Sequence, residues 1–153
     1  MRRAIELAAQ GVDAGDGGPF GCVIAQGDLV VGEGWNRVAS TKDPTAHGEM
    51  VAIRAAAARL DRFALTGCEL YTTGEPCPMC LGAIHWARLD AAHFALSTDD
   101  IAAIGFDDRA FHDALKRPRA ERALPVLPVG AVLRRAALDV AEHWAARNDR
   151  VCY

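Results

Sequence analysis

The chain has 153 residues, 51% hydrophobic and 24% charged, an ordinary globular composition long enough to bury the core of one domain. Its net charge of −3 and pI near 5.9 weigh against a large nucleic-acid partner, which selects a basic surface, and leave a single free base open. Five cysteines, two of them at metal-ligand spacing, do not make a secreted disulfide framework.

Ile5, Ala8, Ala9 and Val12 recur at helical spacing, which predicts a first helix from residue 2 to about 14. Glu6 and Gln10 interrupt the apolar stretch after Met1-Arg2-Arg3, so it does not read as a signal peptide. Four glycines and Pro19 make residues 15–21 a loop that lets backbone approach something closely, with Phe20 among them. It lacks the Lys-Ser/Thr ending of a phosphate-binding loop. Residues 22–25 and 29–35 read as strands joined by Gln26-Gly27-Asp28, and Asn36 closes the second. Asp43 or Thr45 is placed to cap a helix from about 46 to 60, with Met50, Ile53, Ala57 and Leu60 on one face.

Residues 69–73 form a third strand, and the cysteine motif behind it opens a helix packing through Met79, Ala83 and Ile84. Residues 92–96 are a fourth strand. Two short helical pieces flank Gly105-Phe106-Asp107-Asp108, and Pro118 breaks the pattern. Residues 126–129 read as an edge strand, and Leu133, Ala137, Val140 and Trp144 mark a last helix. The longest apolar run, 124–133, is too short and too proline-broken to span a bilayer, which with the cysteine pattern predicts a cytosolic protein. Alternating helices and strands without a dividing linker predict a single α/β domain over residues 1–153. Its architecture is a three-layer α-β-α sandwich around a mixed sheet of about five strands.

The chemistry concentrates between His47 and Cys80. His47-Gly48-Glu49 is followed thirty residues on by Glu75-Pro76-Cys77-Pro78-Met79-Cys80. One imidazole and two thiolates are three zinc ligands, which leaves the fourth tetrahedral position open to water. Glu49 then stands beside that position as a proton carrier without ligating the metal. His47 and Glu49, two apart on a helix, leave its axis on nearly opposite sides, so they serve one site only off the helix's N-terminal end. Cys77 also falls at a helix start, where the dipole and free N–H groups favour the thiolate. A Cys-x-x-Cys alone is shared with redox pairs and structural zinc knuckles. Paired at this distance with His-x-Glu, it is the pattern of zinc base deaminases.

The chain resembles the cytidine deaminase superfamily over nearly its whole length, and within it the bacterial guanine deaminase branch. The resemblance rests on Gly18-Pro19-Phe20-Gly21, Asn36, Asp43-Pro44-Thr45-Ala46-His47 and the stretch Glu75 to Ile84, then Trp86-Ala87-Arg88, Gly105-Phe106-Asp107-Asp108 and the terminal Tyr153. It implies zinc on His47, Cys77 and Cys80, proton transfer by Glu49, and purine recognition by Asn36. It further implies stacking or edge contacts from Phe20 and Trp86, and a hydrogen-bonding role for Asp108 on the guanine edge. It implies a homodimer that exchanges C-terminal segments, Tyr153 closing the partner's pocket. Two positions depart from the family's usual residues. Gly48 replaces an alanine, leaving room for a wider pocket beside the metal, and Gly74 replaces a frequent cysteine.

The expected function is hydrolytic deamination of a free purine base, guanine to xanthine and ammonia, in a cytidine deaminase-like fold. Alternatives sharing the zinc core are a tRNA adenosine deaminase and an aminohydrolase for another base, a nucleoside or a triazine. A zinc scaffold without turnover is the alternative of a different class, and its fourth ligand would be Cys22, Cys68 or Cys152. Asp107 is assigned to capping the helix near Arg109, leaving Asp108 for the site. His85, His93, His112 and His143 have no partners at ligand spacing and are expected to be ordinary.

Overall fold

A computed structural model describes residues 1–152, so the expectations for Tyr153 lie outside the described residues. The chain falls into two compact units, Met1–His112 and Asp113 onward. In the first, β1 (Gly21–Gln26), β2 (Leu29–Trp35), β3 (Glu69–Gly74) and β4 (Ala91–Leu96) form one sheet in the order β2-β1-β3-β4. The β1 pairings are antiparallel and β3–β4 is parallel, so the sheet is mixed.

Alternation along β1 assigns the two faces. Val23 packs with Ala4 and Leu7 of α1 (Arg2–Asp13). Cys22 and Ile24 pack on the other side, with Ala52 and Ala56 of α3 (Gly48–Leu60) and Ile84 of α4 (Pro78–Trp86). Helices therefore cover both faces, as the alternation of elements predicts. A short α2 (Val38–Thr41), not anticipated from its polar sequence, lies between β2 and α3. The pieces flanking Gly105–Asp108 are α5 (Thr98–Ala103) and α6 (Arg109–Lys116).

The sheet has four strands rather than about five. Residues 126–129 stay irregular: Pro128 within them, and Pro125 before them, have no N–H to give to a ladder. In the second unit the turn η1 (Arg119–Glu121) and α7 (Ala131–Ala145) are ordered, yet no residue from 113 to 152 is buried.

The buried helix faces also differ from those the large apolar residues suggest. α1 turns Ala4, Leu7, Ala8 and Gly11 inward and leaves Ile5 and Val12 about half exposed. α3 buries Gly48, Ala52 and Ala56, while Ile53, Ala57 and Leu60 pack at the edge of the core. The cause is on the sheet. A Cβ at Gly34 would stand 2.6 Å from the Gly48 carbonyl oxygen and 2.7 Å from the Ala52 nitrogen; one at Gly32 would stand 2.4 Å from the Ala52 oxygen. Bare backbone on β2 meets a stripe of small residues on α3, so the helix lies unusually near the sheet. Gly34→Ala is expected to cost about 1–3 kcal/mol through overpacking against backbone that cannot yield. Thermal denaturation checks this: a clear drop in Tm is expected, and an unchanged Tm contradicts the close approach.

Candidate functional site

Two helix beginnings meet at one edge of the sheet. His47 is the N-cap of α3 and Cys77 the N-cap of α4, both with extended backbone. Pro78 follows at the first helical position, where a missing N–H costs nothing. Neither Asp43 nor Thr45 caps α3. The Asp43 carboxylate accepts instead from the Thr45 N–H and hydroxyl, at 2.8 and 2.7 Å, and this turn delivers His47 to the helix start.

His47 Nδ1 lies 3.6 Å from Cys77 Sγ and 3.5 Å from Cys80 Sγ, and all three donor atoms fall within 4.8 Å of one another. Tetrahedral bonds of about 2.3 Å to sulfur and 2.0–2.1 Å to nitrogen put S and N about 3.6 Å apart, so this donor set already has the span zinc requires. Cys22 and Cys68, two of the three candidates for a fourth ligand, are packed into the apolar core with Ile24 and Leu70. The grouping comprises His47, Cys77 and Cys80 among the described residues. The hydrogen bond from Cys80, then the His47 ring, holds the Cys77 thiol well below its usual range, which favours the thiolate. The same contact with Cys77, with burial, pushes Cys80 up, and the Cys77 hydrogen bond raises His47.

Glu49, in the first turn of α3, is 5% exposed, and burial pushes its carboxyl above the usual range. Its Oε2 accepts from Cys80 Sγ at 3.5 Å and its Oε1 from the Thr72 hydroxyl at 3.2 Å. A buried carboxylate beside a metal-ligand cluster has the features of a proton carrier.

A cavity of about 340 Å³ opens over this group, lined by His47, Glu49 and Cys77 together with Phe20, Asn36 and Asp108. Phe20 is fixed through its backbone: its carbonyl accepts from the Asn36 N–H at 2.8 Å, and neighbouring Pro19 and Gly21 are tied to the Thr73 hydroxyl. Asn36 Oδ1 accepts from the Val38 N–H at 3.2 Å, and only glycine fits at residue 17, where a Cβ would stand 2.1 Å from that oxygen. Asp107 accepts from the Arg109 N–H at 3.1 Å, while the Asp108 carbonyl accepts the first helical bonds of α6, from the Phe111 and His112 N–H groups. Asp108 faces the cavity, with His112 Nε2 3.3 Å from its Oδ2.

Trp86 is not brought to this cavity. Six residues of about 100° each turn it about 120° around α4 from Cys80, and it is 68% exposed. Gly48 does not widen the pocket either: a Cβ there would meet the Phe20 carbonyl at 3.1 Å, behind the lining. Gly74 does line it, facing Ile101 and the Phe20 ring. The sequence reading passed over Ile101, Phe111 and Phe106, whose ring meets Phe20 edge-on at 5.1 Å. Phe106 stands inside the Gly-Phe-Asp-Asp segment, where attention fell on the aspartates. His112, expected to be ordinary, stands at i,i+4 from Asp108, a spacing that puts the two on one helix face.

The sequence profile of the cytidine and deoxycytidylate deaminase zinc-binding region matches residues 1–96. Guanine deaminase of Bacillus subtilis is 47% identical over 129 residues, covering 84% of this chain and 83% of that protein. A crystal structure of guanine deaminase from the same organism superposes with a TM-score of 0.89 at 41% identity, covering 98% and 96% of the two chains. A solved relative in complex with 8-azaguanine gives a TM-score of 0.65 at 34% identity, covering 94% and 81%. The tRNA-specific adenosine deaminase of Haemophilus influenzae is 38% identical over 76% of this chain and 70% of its own length. The chain belongs to the cytidine and deoxycytidylate deaminase family, whose members are zinc-dependent hydrolytic deaminases, and its His-Cys-Cys group fits Zn2+.

Metal analysis of the purified protein is expected to give about one zinc per chain, following three-ligand stoichiometry. Cys80→Ser should lose it and Gly48→Ala retain it. Zinc retained in Cys80→Ser contradicts this ligand assignment.

Proposed function

We propose that this protein is a guanine deaminase, hydrolysing free guanine to xanthine and ammonia. The observation that carries the reading is the convergence of a three-donor zinc group, a buried carboxylate and an aspartate-walled, aromatic-lined cavity on one helix-flanked edge. Its similarity to the Bacillus subtilis guanine deaminase over most of both chains supports the same substrate.

Zinc, when bound, lowers the pKa of a coordinated water from about 16 to about 7. Glu49 accepts one proton from the attacking water and delivers it to the ring nitrogen, then carries the remaining hydroxyl proton to the amine, which leaves as ammonia as the C–N bond breaks and the carbonyl forms. Asp108 faces the guanine edge, where the ring N–H and the amino group are both donors that suit a carboxylate. Asn36 has its Oδ1 engaged by Val38, so its Nδ2 protons are the ones offered to purine acceptors. Phe20 and Phe106 form an apolar wall for the flat ring. Five free cysteines, two of them acting as metal ligands, suit the reducing cytoplasm, where we place the protein.

Ammonia release from guanine, guanosine, adenine, cytosine and ammeline tests the substrate. Guanine is expected to turn over well above the rest, and an inert guanine beside an active cytosine or nucleoside overturns it. Glu49→Gln should keep its zinc and lose about 10²–10⁴-fold in kcat, the usual range for a general acid–base. Full turnover in that variant removes Glu49 from the chemistry.

We also propose a homodimer in which C-terminal segments are exchanged and Tyr153 acts in the partner's site. The support is exposed apolar surface: Val132, Leu127 and Leu124 are 84%, 80% and 76% exposed. Separately, Leu81, Phe94 and Leu96 are exposed on α4 and β4. Surface of this kind is normally covered in an assembly. Light scattering is expected to give twice the 16.3 kDa chain mass. Deleting residues 151–153 should cut turnover severely while leaving the melting transition intact; a monomer, or an unaffected deletion, refutes the exchange.

A further inference from the structure

Among the described residues, four polar or charged ones are buried: Asn36, Glu49, Thr72 and Thr73. Asn36 and Glu49 line the cavity, and Thr73 ties down the loop that carries Phe20. Thr72 lies outside the cavity lining and the metal grouping, and it is 0% exposed. Its hydroxyl donates to Glu49 Oε1 at 3.2 Å.

The hydroxyl is held firmly. Thr72 sits on β3, paired with Cys22 on one side and Phe94 on the other, and β-branching leaves few rotamers open to it. Next to it on the sheet, Cys22 offers a buried thiol that burial and the nearby Glu49 charge keep protonated. The carboxylate thus rests on a floor where Thr72 supplies the strong donor.

The second oxygen of Glu49 is in a different situation. Oε2 receives its hydrogen bond from the Cys80 thiol. A cysteine that ligates zinc does so as the thiolate and has no proton left to donate. Of the two side-chain donors to this carboxylate, Thr72 is the one that is not itself a metal ligand, so its hold on Oε1 does not depend on the ion.

We propose that Thr72 is a positioning residue for the proton-transfer step: it anchors Glu49 by Oε1 and leaves Oε2 to exchange protons. This rests on the deaminase reading, in which Glu49 carries the proton. A buried threonine that merely satisfied its own hydroxyl would affect stability and leave turnover per folded, zinc-loaded molecule untouched.

The test uses zinc-loaded wild type, Thr72→Val and Thr72→Ser, with Thr72→Ala alongside in case the valine packs poorly. Losing a hydrogen bond to a charged group is expected to lower kcat for guanine by about 10- to 100-fold in the valine and alanine variants. KM, zinc content and the dissociation constant for 8-azaguanine should stay near wild type, and Thr72→Ser should restore most of kcat. A crystal structure of zinc-loaded Thr72→Val should show the Glu49 carboxylate turned or split between rotamers, whether or not guanine turns over. Unchanged kcat, no rescue by serine, loss of zinc or 8-azaguanine binding in step with kcat, or an unmoved Glu49 overturns the proposal. An inactive wild type condemns the substrate reading instead, and the Glu49 rotamer still decides on Thr72.

Discussion

Everything at this site depends on two α-helices beginning at the same place. A helix start presents unpaired N–H groups and the positive end of its dipole, and α3 and α4 bring two such ends to one sheet edge with His47 and Cys77 as their caps. The Cys80 hydrogen bond and the His47 ring that meet there hold the Cys77 thiol low, and the three donors already have the separation a tetrahedral zinc needs. The sheet register supplies the rest. Gly21 lies opposite Trp35 and Cys22 opposite Thr72, so the loop before β1, Asn36 after β2 and the end of β3 all reach that edge. Glu75 extends the arrangement, its carboxylate accepting from the Thr98 N–H and hydroxyl at 2.9 Å and so tying the start of α5 to the rim.

The same convergence puts Glu49 under tension. Moving a carboxylate out of water is costly unless it is hydrogen-bonded or paired, and burial is the largest influence on this one. Its compensation comes from its own helix end, the His47 ring and a strand hydroxyl, none of which neutralises it as an arginine would. A carboxylate held this way can take and return a proton with little change in its surroundings, which a shuttle requires and a structural ion pair prevents.

Much of this was legible in the sequence. The His47, Cys77 and Cys80 group was readable because metal chemistry fixes both residue type and spacing, and β2 was readable to the residue because its strand pattern is bounded by a turn and Asn36. The helix faces were harder. Apolar periodicity gives weight to Ile5, Val12 and Met50, whereas the closest contacts are made by Ala4, Ala8, Gly48 and Ala52 against glycines of the sheet. Small residues carry little hydrophobic signal in a sequence, yet they decide how near a helix can lie. Trp86 carries its expected contact only through the family resemblance, and six residues along α4 from Cys80 do not bring it back to the same face. The strand expected at 126–129 had the right composition but a proline where a ladder needs a donor.

The two glycines that set this chain apart from its family pattern are not equivalent. Gly48 sits beside the metal ligand in sequence, yet its missing side chain faces the backbone of Phe20 and Trp35, where an alanine would be accommodated with a slight shift. Gly74 is remote from the ligands in function but borders the cavity, where a Cβ would stand 2.9 Å from Ile101 Cδ1 and 3.2 Å from Phe20 Cδ1. A side chain there must push the Ile101 tip aside and press on the Phe20 ring, which is braced by Phe106 and by Gly18, where a Cβ would meet both aromatics. The room for a flat ligand is therefore set by the wall of Gly74, Phe20, Phe106 and Ile101. The metal end supplies chemistry that a whole family shares, whereas the apolar wall, with Asn36 and Asp108 beside it, is what shapes the rest of the cavity.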